Sequence, residues 1–210
     1  LIAVCMAKPL AHTAGSSMHI HQSVEDAATG LNVFSDESGQ ATSAFRHFIA
    51  GQQACMADFT ALFAPNVNSY QRLCHPFASP NNACWSHDNR AAGLRIPASA
   101  PAARRVENRL PGADANPYLA IAASLAGGLY GIERELEPSE PIQGEIEVPE
   151  HLSLPCTLHA ALERLKRSQL AKELFGHEFI EGYIASKSME LTSFLDEITP
   201  WERRVLAAQA

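Results

Sequence analysis

Two short stretches carry side chains of the kinds that bind metal ions and anions. In the first, "GSSMHIHQS", His19, His21 and Ser23 occupy alternate positions. The alternation predicts a half-buried strand over residues 17–24 that places the three side chains on one face. That face is either the solvated side of an edge strand or a site for a metal ion or a phosphate, because imidazole ligates divalent metals and hydroxyl groups bond phosphate oxygens.

The second stretch alternates two arginines with a carboxylate. Arg105, Glu107 and Arg109 share one face of a strand that we predict over residues 105–110. Such a row can be a line of surface ion pairs, which contributes little to stability. It can also be a site in which the carboxylate ligates a divalent ion while the guanidinium groups grip a carboxylate or phosphate in bidentate fashion.

Three further arginines, Arg72, Arg90 and Arg95, lie in segments that are otherwise poor in charge. Arg90 and Arg95 are five positions apart, so they cannot share a face of one regular strand. The gathering of arginines predicts an anionic ligand, such as a nucleotide triphosphate or an acidic amino acid. A divalent ion beside the phosphates is the usual arrangement for phosphoryl transfer.

The patterns of apolar residues predict the elements that must position these side chains. Strands are expected over residues 1–8, 17–24, 91–96 and 105–110, helices over residues 43–64 and 117–134, and long loops over residues 66–89. Asn116 and Pro117 form a good start for the second helix, which is apolar on nearly every side and is therefore expected to be buried. Residues 137–150 are expected to be an exposed connection, and a helical pattern follows Thr157.

Composition excludes several classes of function. The chain is 46% hydrophobic and 19% charged, with a formal net charge of -7, which argues against nonspecific binding of nucleic acid. It contains no apolar run of the roughly 20 residues that a membrane span requires, and we see no signal peptide. The cysteine count is odd and no CxxC pair occurs, so we predict reduced thiols in a cytoplasmic protein.

Several motifs, taken in order, resemble those of glutamine synthetases. They are "MAKP", "GSSMHIHQS", "NSYQRL", "DNRAAGLRIP" and "RRVENRLPGADANPYLAIAASLAGGLYGI". The resemblance runs over residues 1–132 and continues more weakly into the helical tail. It implies an ATP-dependent ligase with Mg²⁺ or Mn²⁺ as cofactor, in which the side-chain carboxylate of glutamate is phosphorylated and nitrogen then displaces phosphate. The motif sequences most resemble those of γ-glutamylpolyamine and γ-glutamylputrescine synthetases.

The resemblance also implies a role for each candidate side chain. His19 and Glu107 match metal ligands. Glutamate would be bound by Gly15, Arg72 and Arg109. Arg90 and Arg95 match catalytic arginines that neutralise phosphate and bind the nucleotide, and the remaining nucleotide contacts are His21, Ser23 and Arg105. These assignments agree with the chemistry, because fixed cations stabilise the negative charge that develops on transferring oxygens.

One departure from the family pattern concerns the nitrogen donor. Glutamine synthetases proper carry a Glu at the position of Ala78, where it helps to form the ammonium site and accepts a proton from the attacking nitrogen. Alanine can do neither, so we expect a primary amine as the acceptor, with ammonia as the alternative. His75 and His87 are candidate replacement bases. Two other departures, Ala14 in place of Asn and Ala102 in place of Lys, remove polar contacts.

The resemblance and the patterns together predict the architecture. We expect an α+β fold with a curved, mostly antiparallel sheet that bears the active site, helices packed outside it, and a helical C-terminal region. Residues 1–137 would be part of the catalytic domain and residues 138–210 its helical extension. Family members form rings, so we expect a homo-oligomer that binds neither nucleic acid nor membranes.

The chain begins at Leu1, already within a strand-like pattern, so it resembles a piece of a longer protein. We expect the small N-terminal domain of the family and the first catalytic strands, with their metal-binding glutamates, to lie outside these residues. We therefore expect these residues alone to be inactive. A noncatalytic or truncated family member with an assembly or regulatory role is the alternative of another class.

Overall fold

The computed structural model describes residues 1–74, 79–144 and 147–209. The strands are β1 (Ile20–Gln22), β2 (Trp85–His87), β3 (Leu94–Ile96) and β4 (Val106–Asn108). The helices are α1 (Ser43–Met56), α2 (Thr60–Phe63), α3 (Val67–Leu73), α4 (Pro117–Glu133), α5 (Leu158–Arg167), α6 (Gln169–Phe175), α7 (His177–Leu195) and α8 (Pro200–Leu206). No helix in these ranges is long and apolar enough to cross a membrane.

The strands form one mixed sheet in the order β1-β4-β3-β2. β4 pairs antiparallel with both β1 and β3, whereas β2 and β3 are parallel. In this register Glu107 lies opposite His21 on one side and opposite Arg95 on the other. The α+β prediction of a mostly antiparallel sheet with helices packed outside is therefore confirmed, and the sheet brings the candidate side chains of three strands together.

Among the described helices and strands, α1 and α4 have the most extensive contact. Their backbones approach closely, since a Cβ atom on Gly51 would lie 2.1 Å from the carbonyl oxygen of Gly127 and 2.6 Å from the Cα of Gly131. A Cβ on Gly128 would lie within the ring of Phe48, 2.1 Å from its nearest atom. Glycine at these positions therefore allows α4 to pack against α1 and to support β1 and β4 from behind.

Several of the predicted elements are wrong or incomplete. Residues 1–8 form no strand and are largely exposed, and the expected loop over residues 66–89 contains both α3 and β2. The helix expected over residues 43–64 is broken after Met56, although its start is confirmed. α4 has the predicted bounds, but it is buried on one side only: Tyr118, Ile121, Leu125 and Leu129 are exposed.

The tail after Thr157 is helical, as the pattern predicts. Thr157 caps α5 through a bond from the Ala160 amide, Gly176 ends α6, and Thr199 with Glu202 forms a capping box at α8. α5 packs on α2 and α7, and its buried side chains are Leu158, Ala161, Leu162 and Leu165. The later helices bury little, because Ile180 is the one fully buried side chain of α7 in the described part of the chain.

Candidate active site

Glu107 is the centre of a buried group of charges. Its side chain is 3% exposed, yet three cationic or potentially cationic groups lie within 3.0 Å of its oxygens. Arg95 Nη1 donates to Oε2 at 2.6 Å, Arg109 Nη1 donates to Oε1 at 2.7 Å, and His19 Nδ1 lies 3.0 Å from Oε1. The row of residues 105, 107 and 109 is therefore not a line of surface ion pairs, because its central carboxylate is enclosed.

The surrounding charges determine the protonation of both Glu107 and His19. Burial alone would raise the pKa of Glu107, but the hydrogen bond from Arg95 and the charges of Arg109 and Arg95 outweigh it and hold that pKa below its usual value. Burial, and then the charge of Arg109, lowers the pKa of His19, although Glu107 acts in the opposite direction. At neutral pH the site therefore holds a carboxylate and a neutral imidazole.

Arg72 reaches the same region from α3. It is 3% exposed, and its Nη1 donates to Ser17 Oγ at 3.0 Å and to Ser79 Oγ at 2.9 Å. Burial lowers the pKa of Arg72 to about 10, so the side chain stays charged at neutral pH. Gly15 makes room for it, because a Cβ at that position would lie 2.6 Å from Arg72 Cγ.

The three remaining candidates of the nucleotide group are spread along the edge of the sheet. β1 is an edge strand in this sheet. His21 is exposed on this strand, and its Nε2 lies 4.0 Å from Glu107 Oε1. Arg105 Nε donates to His21 Nδ1 at 3.2 Å, so these two side chains form a pair beside the central carboxylate. Ser23 lies just past the end of β1 and is exposed.

Arg90 stands apart from the Glu107 group but shares a cleft with part of it. The residue is exposed in the turn before β3, which agrees with the expectation that Arg90 and Arg95 do not share a strand face. A cleft of about 560 Å³ is lined by Arg90, Arg109, Ser79 and Asn81, among others. Cationic groups thus line an open space next to the buried carboxylate, although the chain as a whole is acidic.

The model of the family described as "Glutamine synthetase, catalytic domain" matches residues 1–206. The chain belongs to the glutamine synthetase family. It is 42% identical over 190 residues to the gamma-glutamylethanolamide synthetase GlnA4 of Streptomyces coelicolor, a match that covers 90% of this chain and 40% of that protein. It is 40% identical over 200 residues to the gamma-glutamylputrescine synthetase PuuA of Escherichia coli, which covers 95% and 42% of the two chains.

The fold of this glutamine synthetase family member is also found among solved structures. A structure described as "Apo GmaS without ligand" matches with a TM-score of 0.82 and 33% sequence identity, over 96% of this chain and 47% of that chain. The chain therefore spans less than half the length of these relatives. The family resemblance inferred from the motifs is confirmed.

The side chains fit part of a divalent-metal site. His19 Nδ1 lies 3.0 Å from Glu107 Oε1, so Nε2 is the ring nitrogen that remains available to a metal ion. A carboxylate beside the other ring nitrogen is a common partner of a metal-binding histidine. Glu107 adds negative charge, but both of its oxygens already accept hydrogen bonds from arginines. Across residues 1–74, 79–144 and 147–209, no group of three His, Cys, Asp or Glu side chains suited to a metal occurs.

Several residues that support the site were not assigned by sequence reasoning. Asp88 bonds Arg95 Nη2 through Oδ1 at 2.5 Å and adopts a left-handed backbone, with φ of 50°. Behind the sheet, Ser124 Oγ lies 2.6 Å from Gln22 Oε1 and 2.9 Å from Gln52 Oε1. It has one proton to donate to one of these oxygens, and it accepts from Asn108 Nδ2 at 3.2 Å. Asp88 stands in a recognised motif, which was a usable signal, whereas the Ser124 network joins distant segments that no local pattern connects.

One predicted feature cannot be compared with the structure. Ala78, on which the choice of an amine acceptor depends, and His75 lie outside the described residues. His87 ends β2 and is exposed. Of the two candidate replacement bases, the structure thus places His87 alone, on the strand farthest from β1 in the sheet.

Proposed function

We propose that the full polypeptide that carries this chain joins the side-chain carboxylate of glutamate to a primary amine, with conversion of ATP to ADP and phosphate. The observation that carries the proposal is the enclosed carboxylate of Glu107 with Arg95, Arg109 and His19 within 3.0 Å, in a chain of the glutamine synthetase family. A buried carboxylate among arginines contributes little net stability, so its presence is better explained by binding of charged reactants.

Each step of the proposed reaction needs the charges found here. The γ-phosphoryl group of ATP would pass to the carboxylate of glutamate to give γ-glutamyl phosphate, and the amine would then displace phosphate to form the γ-glutamyl amide. Arg72 and Arg109 would hold glutamate, whereas Arg90 and Arg95 would neutralise the transferring phosphoryl oxygens. His21, Ser23 and Arg105 would face the nucleotide, and Gly15 would leave room for Arg72 beside glutamate.

A bound Mg²⁺ or Mn²⁺ ion would neutralise phosphate charge in this reaction. His19 would bind it through Nε2, with Glu107 as the adjacent carboxylate. Divalent ions of this kind take about six oxygen or nitrogen ligands, some of them water and substrate phosphate. Because the described residues offer two such side chains here, we expect no ATP turnover from these 210 residues alone; ADP release by the isolated chain would contradict this.

The choice of an amine over ammonia has two supports. Relatives at 42% and 40% identity are named for ethanolamide and putrescine products. Position 78 is Ala, and a methyl group neither attracts ammonium nor accepts a proton from it. The use of ammonia is the second candidate, supported by the match to the family model that is named for glutamine synthetase itself.

Acceptor specificity is the decisive measurement. The full polypeptide would be given ATP, Mg²⁺ and glutamate, and ADP release would be compared for ammonium, ethanolamine, putrescine and isopropylamine. We expect the largest kcat/KM with an amine. A larger value with ammonium would replace the proposal by glutamine synthesis, and absence of turnover with every acceptor would favour a noncatalytic role.

The roles of the arginines can be tested with a matched pair of conservative substitutions. Arg109→Lys keeps the charge but loses the planar fork that holds Glu107 and an anionic ligand. Arg46→Lys makes the same change in an exposed ion pair with Glu137. We expect the first to raise the KM for glutamate by about tenfold or more, which corresponds to the loss of about one charged hydrogen bond, and the second to leave it unchanged. Equal effects would remove Arg109 from the site.

We also propose a homo-oligomer located in the cytoplasm. The exposed apolar side chains of α4 support association, because Tyr118 is 84% exposed and Ile121, Leu125 and Leu129 follow it on the same face. Light scattering on the full polypeptide would give the number of subunits. A monomer at micromolar concentration would contradict this part of the proposal.

A further inference from the structure

Two cysteines that are far apart in the sequence meet at one asparagine. Cys74 directly follows α3, and Cys156 directly precedes Thr157, the N-cap of α5. Asn81 Nδ2 lies 3.0 Å from Cys156 Sγ and 3.7 Å from Cys74 Sγ. Cys74 Sγ is also 3.5 Å from the carbonyl oxygen of Cys156. One amide group thus touches both sulfur atoms, across a sequence separation of 82 residues.

We propose that Cys74 and Cys156 are a modification site that forms a reversible disulfide when the protein meets a peroxide. The two thiols together lose two electrons and two protons as the S–S bond forms. Hydrogen peroxide accepts them, its O–O bond breaks, and two water molecules result. The geometry favours this pair because both sulfur atoms lie around the same Asn81 amide and Cys74 Sγ is 3.5 Å from the backbone of Cys156.

Exposure gives the order of the two steps. Cys156 is exposed and Cys74 is partly buried, so the peroxide meets Cys156 first and converts it to a sulfenic acid with release of water or hydroxide. Burial, and then the neighbouring Cys156 thiol, raises the pKa of Cys74 to about 12, which makes Cys74 a poor first target. The sulfur of Cys74 then attacks the sulfenic sulfur of Cys156. The hydroxyl group of the sulfenic acid leaves with the Cys74 proton as the second water.

The bridge would lie at the edge of the candidate site. Cys74 is two residues after Arg72 on the same end of α3, and Asn81 lines the cleft that Arg109 also lines. A bond between Cys74 and Cys156 would therefore tie the end of the arginine-bearing helix to the start of α5. In a reducing compartment it would persist while oxidant is present and would be reversed by dithiols. The inference concerns thiol chemistry and does not depend on the proposed ligase reaction.

Peptide mapping of the full polypeptide tests the proposal directly. Tryptic cleavage after the arginines at 72, 90, 134 and 164 places Cys74 in peptide 73–90 and Cys156 in peptide 135–164. After treatment with hydrogen peroxide and blocking of remaining thiols, we expect a linked pair of these peptides that is absent from the untreated protein and lost after dithiothreitol. Fragmentation must place the bond at Cys74, because Cys84 shares its peptide.

Three variants complete the test. Cys156→Ser and Cys74→Ser should each abolish the linked pair, whereas Cys5→Ser removes another exposed thiol and should leave its yield unchanged. Circular dichroism of each variant shows that a lost bridge is not a lost fold. The proposal is overturned if Cys156 is oxidised or blocked without Cys74, if the bond involves Cys84, or if a non-reducing gel shows that Cys156 joins two chains.

Discussion

The sheet and the helical tail use charged residues in opposite ways. In the sheet, Glu107 is 3% exposed and contacts Arg109, which is 8% exposed. In the tail, Glu163 and Arg167 form an ion pair of ordinary i,i+4 spacing with side chains that are 41% and 81% exposed. The first pair has lost most of its hydration, whereas the second keeps it.

This difference distinguishes the enclosed charges, which we assign to the binding of charged reactants, from the exposed charges, which keep the surface soluble. Enclosing a carboxylate and two guanidinium groups costs desolvation free energy that their mutual attraction roughly offsets, so such a group is weak evidence for stability. The exposed pair gains little Coulomb energy and gives up little hydration, so it changes the stability little. The contrast yields predictions for matched substitutions in the two regions, each measured by urea unfolding of the full polypeptide at one fixed protein concentration.

The largest effect is expected for Glu107→Gln. The amide keeps the size of the side chain but leaves the buried Arg109 without a counter-charge and Arg95 with Asp88 alone, so the free energy of unfolding should fall by about 3–5 kcal/mol. Glu163→Gln makes the same change in the exposed pair and should lower it by less than about 1 kcal/mol. Losses of equal size would mean that burial does not distinguish the two carboxylates.

The next effect is expected for Gly15→Ala. The new methyl group would lie 2.6 Å from both the carbonyl oxygen of Ala7 and Arg72 Cγ, and such overpacking costs about 1–3 kcal/mol. Gly182→Ala is the control in α7, where a Cβ meets nothing within 4 Å. There alanine should stabilise the helix by about 0.5–1 kcal/mol. The comparison fails if both substitutions change stability in the same direction.

A smaller loss is expected for Ser124→Ala. Ser124 is 1% exposed, and its hydroxyl group joins Gln22, Gln52 and Asn108 behind the sheet. Its removal leaves the amide groups of Gln22, Gln52 and Asn108 joined by longer contacts of 3.4 and 3.5 Å, at a cost of about 1–1.5 kcal/mol. Ser188→Ala, on the exposed side of α7, should change the free energy of unfolding by less than about 0.5 kcal/mol. No loss for Ser124→Ala would show that the network rearranges freely.

The smallest effects concern helix caps. Asn116 accepts bonds from two amides at the start of α4, and Thr199 accepts one at the start of α8. Substitution of either N-cap residue by alanine lowers the stability of its helix by about 1 kcal/mol. For Asn116→Ala this should lower global stability, since α4 packs on α1. For Thr199→Ala, hydrogen exchange should rise within α8 alone, and a global loss would show that α8 is part of the cooperative core.

Much of the candidate site could be predicted because family motifs and strand alternation depend on short segments. The alternation at residues 19–23 and 105–109 placed His19 and Glu107 on polar faces, and the motifs supplied the arginines. The loop composition of residues 66–89 was misleading. Asn66 and Ser69 form the capping box of α3, and α3 and β2 are both short elements that tertiary contacts, rather than propensity, determine.

The sequence alone determined the family, the polar faces of the strands and the helix starts at residue 43, at Asn116 and after Thr157, because caps and alternation act within a few residues. Tertiary structure alone decided that Glu107 is enclosed by Arg95 and Arg109, that α4 is buried on one side, and that Cys74 meets Cys156. Each of these depends on which strand or helix packs next to which, and residues 82 positions apart in the chain leave no local signal of their contact.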